Sequence, residues 1–225
     1  MRNLFKIILG QVVVLILITT AVHAGPNNSM GIKVGLNIAN AAGRDADGME
    51  ALTVMQIGGF HVLHINRFLA IQTEFLYSQK GTMMTSEVIE QGIPVTVEER
   101  YKLNYLEIPL LIKLNMPVGD IMTPNIYAGP AMGIKLSSKY QISATAYAYG
   151  QSASVTLEED LEEISPFDVG LALGGGLDFH FGSTCFIIDA RYTKGLTQID
   201  TSEANLDSKN SVFSISAGLA FPLGQ

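Results

Sequence analysis

Three histidines follow position 24: His61, His64 and His180. Two imidazoles three residues apart share one face of a helix and could grip a metal ion there. On a strand, side chains alternate, so residues three apart point to opposite faces and cannot share a metal. The sequence around His61 and His64, TVMQIGGFHVLH, reads as a strand over 53–64, so the pair is expected to be structural or interfacial. No GxSxG elbow, phosphate-cradling loop or HExxH motif occurs. A lone cysteine, Cys185, excludes an internal disulfide and a cysteine-rich zinc site. The chain therefore reads as a non-enzyme with no cofactor, no metal and no catalytic residue.

A second set of reactive groups is more informative. Glu74, Glu107, Lys113, Asp168, Asp178, Asp189 and Arg191 each occupy the polar side of a segment whose other side is apolar. In 31–39, Ile32, Val34, Leu36 and Ile38 oppose Lys33, Gly35 and Asn37. In 68–80, Leu69, Ile71, Phe75 and Tyr77 oppose Gln72, Glu74 and Ser78. Segment 100–114 sets Leu106, Ile108, Leu110 and Ile112 against Glu107 and Lys113. In 124–136, Ile126, Ala128, Met132, Ile134 and Leu136 oppose Asn125, Tyr127 and Lys135. Segment 167–181 runs Phe167, Val169, Leu171, Leu173, Leu177, Phe179 and Phe181 against Asp168, Asp178 and His180. In 185–197, Phe186, Ile188, Ala190, Tyr192 and Leu196 oppose Asp189, Arg191 and Thr193; 211–221 sets Phe213 to Phe221 against Ser214, Ser216 and Gly218. Segment 53–64 is an eighth strand with ambiguous faces, because Ile57 and Phe60 both have apolar companions. A period of two over eight segments predicts eight strands.

The chain is 48% hydrophobic with mean hydropathy +0.28. After Ala24, however, no stretch approaches the ~18 apolar residues that mark a spanning helix. High hydropathy without long apolar runs is the signature of strands with lipid on one side and a polar interior on the other. A soluble β-sandwich or lipocalin-like barrel shares that signature. The first residues bear on the choice: Arg2 and Lys6, an apolar run from Ile7 to Val22, then Val22-His23-Ala24 before Gly25. They read as a secretory signal, residues 1–24, cleaved after Ala24, leaving a barrel domain over 25–225. Losing two of 14 basic residues and none of 21 acids moves the formal charge from −7 to −9. That balance opposes binding to nucleic-acid phosphates.

Loop lengths decide between the two. The connections 40–52, 81–99, 137–166 and 198–210 are long, and 65–67, 115–123 and 182–184 are short. They alternate along the chain, as they do in an up-and-down barrel with short periplasmic turns and long external loops. Phe179, Phe181, Phe186 and Phe221 fall near the short-turn rim; Tyr77, Phe167, Tyr192 and Phe213 fall near the other, as aromatic girdles do. The predicted fold is all-β: an up-and-down antiparallel transmembrane β-barrel of eight strands in the outer membrane of a diderm bacterium. Alternation in 88–97 and 139–156 predicts hairpins that lengthen strands beyond the bilayer and leaves a ten-stranded ring open.

An eight-stranded barrel is just wide enough for side chains to fill it. The seven charged residues would therefore pair in a dry lumen and seal it. The acids Glu158, Glu159, Asp160, Glu162 and Glu163 fall in the longest connection, and Asp45, Asp47 and Glu50 in the first. They read as solvated loop faces, because the spacing of a calcium loop is missing.

The segments GIKVGLN, FLAIQTEFLYSQKG, YLEIPLLIKL, PNIYAGPAMGIKL, FDVGLALGGGLDF and IIDARYTKGLTQI resemble, in that order, the PorT-like outer-membrane β-barrel family of Bacteroidetes-type bacteria. The resemblance spans about Gly31 to Phe221, with YLEIPLLIKL and RYTKGL its most specific pieces, and it implies an eight-stranded barrel without a catalytic motif. One departure is that Phe221 is followed by PLGQ, whereas many outer-membrane barrels end on an aromatic residue. The expected role is structural or interactive at the cell envelope; the alternative is transport or support of protein export. Expected partners are outer-membrane lipid and lipopolysaccharide, the export and barrel-assembly machinery during biogenesis, and an unidentified partner of the external loops.

Overall fold

The computed structural model describes residues 28–44, 46, 48–90, 92–148, 151–201 and 207–223. The expected signal segment 1–24 and the loop acids Asp45 and Asp47 lie outside the described residues. The described chain forms nine strands: β1 (Asn28–Ala42), β2 (Glu50–His64), β3 (Leu69–Glu90), β4 (Ile93–Asn115), β5 (Met122–Ala148), β6 (Gln151–Asp160), β7 (Phe167–Phe181), β8 (Thr184–Gly195) and β9 (Lys209–Leu223). None of its helices is long and apolar enough to cross a membrane; the crossing elements are strands.

Each strand pairs antiparallel with its neighbours. The order β4-β3-β2-β1-β9-β8-β7-β5, with β4 also paired to β5, closes a ring of eight. Closure joins the first strand to the last, from Asn28 opposite Leu223 to Ala42 opposite Lys209. Among the described residues strand β6 pairs with β5 alone and stands outside the ring, so the ten-stranded alternative does not hold. A closed ring leaves no backbone donor or acceptor facing lipid, which an open sheet could not achieve in a bilayer.

The alternation read from the sequence sorts side chains as expected. Ile32, Val34, Leu36, Leu171, Leu173 and Ile215 are exposed on the outer surface, while Lys33, Asn37, Asp168, Ser214 and Ser216 are buried within. Met132 departs from the expected pattern. It has outward parity yet is only 8% exposed, because its cross-strand partners Ile108 and Val169 flank it on both sides. The ambiguous strand β2 turns Gln56, Phe60 and Val62 inward and leaves Met55 and Ile57 exposed. Its inner residues Phe60 and Val62 join Ala70, Ile187 and Ala220 in an apolar plug near the short-turn rim.

The long connections are mostly not loops. Strands β3 and β4 stay paired out to Glu90 opposite Ile93, and Gly92 takes the positive φ (+82°) of a tight hairpin. Strands β5 and β6 likewise pair from Lys139–Asp160 to Ala148–Gln151. Strand β5 has 27 residues, far more than the ~9–11 a tilted strand needs to cross a bilayer. The surplus of β3, β4 and β5, with β6, forms a four-stranded sheet beyond the barrel on the long-connection side.

Two equally exposed leucines test where lipid ends. Leu173 and Leu157 are both 62% exposed, but only Leu173 lies on the ring. Leu173→Arg is expected to cost ~2–4 kcal/mol in urea unfolding from lipid vesicles. Leu157→Arg is expected to cost less than ~0.5 kcal/mol. Equal costs would place the membrane wrongly.

Candidate functional site: the charged lumen

The inner face carries nine buried charges: Glu74, Glu107, Asp168, Asp178 and Asp189 against Lys33, Lys80, Lys113 and Arg191. They fall into three stations. In the middle one, Arg191 grips both oxygens of Glu74 from its two terminal nitrogens at 2.9 and 2.7 Å. Lys33 bridges Glu74 at 3.3 Å and Asp189 at 2.7 Å. Tyr127 donates its hydroxyl to Asp189 at 2.9 Å and lies under the Arg191 guanidinium. A fork of parallel N–H donors matches a carboxylate as no other side chain does, so lysine could not replace Arg191 here.

Toward the outer rim, Lys80 bridges Glu107 at 3.3 Å and Asp168 at 3.1 Å. Asn210 adds a donor to Asp168 at 2.8 Å. Toward the periplasmic rim, Lys113 meets Asp178 at 2.7 Å, and Asn125 donates to the same carboxylate. Apolar layers separate the stations. The Phe60 plug lies below the middle one, and Leu111, Ala131 and Ala172 pack beside Tyr127. At the top, Leu103, Tyr105, Ile199 and Ile164 close the outer end.

One glycine of 170–176 gives an aromatic ring its room. Gly174 stands opposite Tyr127, and a Cβ there would lie 2.6 Å from the Tyr127 ring carbon and hydroxyl. Any side chain at 174 would therefore push away the group that holds Asp189. Gly31 makes the same allowance for Phe60.

All seven residues singled out from the sequence are thus buried and ion-paired, and none stands alone. Sequence reasoning missed two cations: it places Lys33 only on a polar strand face and assigns Lys80 to no face. The signal was present in the charge count, since five carboxylates cannot share two cations in a dry space.

His64 and His180, far apart in the sequence, line the same cavity. His64 lies 3.2 Å from the Ser29 hydroxyl and His180 lies 3.2 Å from that of Thr123. Both line a periplasmic cavity of about 310 Å³ with Lys113, Asp178 and Cys185. Among the described residues, no group of three or more His, Cys, Asp or Glu could hold a metal ion.

Residues 25–201 match the family described as "Outer membrane protein beta-barrel domain". The chain belongs to that family. It is accordingly a protein of the cell outer membrane. Solved structures similar to this family member include the attachment invasion locus protein Ail of Yersinia pestis, at 16% identity over 87% of this chain and 99% of that one, TM-score 0.41. Neisserial surface protein A is 11% identical over 87% and 97%, TM-score 0.47. The N-terminal β-barrel domain of Pseudomonas aeruginosa OprF is 11% identical over 88% and 98%, TM-score 0.39. No curated protein matches the sequence.

Removing one partner of a buried ion pair strands the other, whereas replacing both by apolar groups of similar size is close to neutral. Arg191→Ala is therefore expected to cost roughly 3–5 kcal/mol in denaturant unfolding from micelles. Arg191→Met combined with Glu74→Leu leaves Lys33 paired with Asp189 and should stay within about 1 kcal/mol of the unmodified barrel. A larger loss in the double variant would mean that charge balance is not what stabilises the lumen.

Proposed function

We propose that this barrel is a sealed, non-conducting anchor that holds a rigid sheet above the outer membrane for contact with other molecules. The observation that carries the reading is the lumen. Its charges are cross-linked from wall to wall in three layers, with apolar plugs between and above them. A solute passing through would have to break those pairs in a space that gives it no water in return. The periplasmic cavity of about 310 Å³ and an outer one of about 160 Å³ lined by Tyr101, Ile164 and Ile199 lie at the two ends, with the Glu74 and Lys80 stations between them.

The sheet supports the second half of the proposal. A strand of 27 residues holds far more backbone in order than a membrane anchor requires. The hairpin of β5 and β6 is stiffened by side-chain pairs along one face: Ser143 with Thr156 at 3.1 Å, Thr145 with Ser154 at 3.0 Å, and Lys139 with Glu158. Loops that merely joined barrel strands would need none of this.

The segments YLEIPLLIKL and RYTKGL support placing the protein in the PorT-like branch of the family. The proposal also takes residues 1–24 as a removed export signal, lipopolysaccharide as the lipid around the barrel, and the export and barrel-assembly machineries as its partners during biogenesis.

The display reading is tested by an epitope inserted at 149–150 and by deletion of 139–160, closed with a short turn. The epitope should bind antibody on intact cells. The deletion should still give a barrel that migrates faster unboiled than boiled. An epitope reached only after the outer membrane is opened would invert the orientation and end this reading.

A further inference from the structure

The sheet beyond the barrel has unlike faces. Cross-strand rows such as Met84–Glu99–Ile142–Leu157, Ser86–Val97–Ala144–Val155 and Val88–Val95–Ala146–Ala153 make the side over the barrel axis largely apolar. Rows on the other side, such as Thr85–Glu98–Ser143–Thr156 and Glu87–Thr96–Thr145–Ser154, are polar. The sheet also has a free edge. Every residue of β6 is exposed, and among the described residues β6 pairs with β5 only.

Ala148 and Gln151 close the β5–β6 hairpin across two residues. In such a hairpin the closing pair exchanges hydrogen bonds, and so does every second pair beyond it. Ser152, Ser154, Thr156 and Glu158 therefore turn their backbone donors and acceptors outward, to the open side. An edge of this kind is a template for another strand unless it is blunted by proline, bulge or charge. Between Gln151 and Asp160 there is no proline, lysine or arginine. The blunting charge is all of one sign and all at the membrane-proximal end: Glu158, Glu159 and Asp160, followed by Glu162 and Glu163. Of these five acids, only Glu158 has a cation within ion-pair distance among the described residues, Lys139, which also stands across from Asp160; one lysine leaves most of the acidic charge in excess.

We propose that the free β6 edge docks an extended, basic segment of another protein, which adds to the sheet as a further strand. The inference rests on the reading that the sheet projects from the membrane. A strand added there gains backbone hydrogen bonds, and its alternate side chains meet Val155 and Leu157 on one face and the polar ladder on the other. Lysine or arginine level with Glu158 to Asp160 answers the uncompensated charge.

A second copy of this chain fits poorly. Copies in one membrane share an orientation, so β6 would meet its own copy in parallel and set Glu158, Glu159 and Asp160 against themselves. Pairing β6 with the outer end of β3 from another copy fares no better. Residues 83–90 there hold no lysine or arginine to answer the acids of β6.

The test uses the full mature chain in nanodiscs of zwitterionic lipid and a fluorescent ten-residue peptide alternating valine and lysine. The same peptide with glutamate for lysine, and empty nanodiscs, are the controls. Fluorescence anisotropy should show saturable binding of the lysine peptide that weakens as salt rises from about 0.05 to about 0.5 M. Thr156→Pro removes an outward N–H and leaves the backbone pairing to β5 in place, losing only the side-chain bond to Ser143, so it should weaken binding about tenfold or more. Replacing Glu158, Glu159 and Asp160 by glutamine should abolish the salt dependence and the preference over the glutamate peptide. Equal binding to Thr156→Pro, or equal binding of both peptides, would overturn the proposal. So would self-association of the unmodified protein that Thr156→Pro abolishes, since that makes a second copy the occupant. If the 149–150 epitope is reached on intact cells and the peptide still fails to bind, this inference fails and the display reading stands.

Discussion

Charge inside a narrow barrel has to be neutralised inside it, because the wall is closed by backbone hydrogen bonds and the space is filled by side chains. The contact between Arg191 and Glu74 shows how the rest of the structure serves that constraint. Glu74 comes from β3 and Arg191 from β8, so the pair spans the lumen and ties walls that share no backbone bond. Lys33 of β1 and Tyr127 of β5 extend the tie to two further strands. Four of the eight ring strands thus meet at one station, and Gly174 of β7 contributes by being small enough to admit Tyr127.

This arrangement links sequence to membrane topology. The inner face can be charged only because every second residue faces out, and those residues, Ile32, Val34, Leu171, Leu173 and Ile215 among them, are exposed and apolar. A one-residue slip of β1, β3, β4 or β7 would send a lysine or a carboxylate into lipid and a leucine into the lumen. The ion pairs therefore specify register as well as closing the pore. Stability is a lesser part of their role, since well-packed apolar residues would serve as well or better.

Much of this was legible in the sequence because period-two patterning is strong wherever lipid faces an ionic interior. It failed where that contrast fades. Strand β2 was ambiguous because Phe60 and Val62 are apolar yet point inward, into a plug that a uniformly polar lumen would not contain. Lys33 was legible as a polar-face residue and Lys80 was assigned to no face, because what each pairs with depends on strands far apart in the chain, such as Lys33 with Asp189. Alternation in 88–97 and 139–156 was enough to give the hairpins that carry β3–β4 and β5–β6 past the bilayer, but it left a ten-stranded ring open. Once past the bilayer, alternation of Ser and Thr with Ala and Val is a weaker contrast than leucine against aspartate. Polarity gave the acids 158–163 as loop residues, whereas three of them lie on an ordered edge strand.

The claim on which the account turns is that the lumen is shut by its own charges. Planar-bilayer recording of the purified, unmodified protein tests it most directly. The account predicts a flat baseline with no reproducible open level across the accessible voltage range. Stable single-channel steps would contradict it and recast Glu107, Lys113, Asp189 and Arg191 as the lining of a pore.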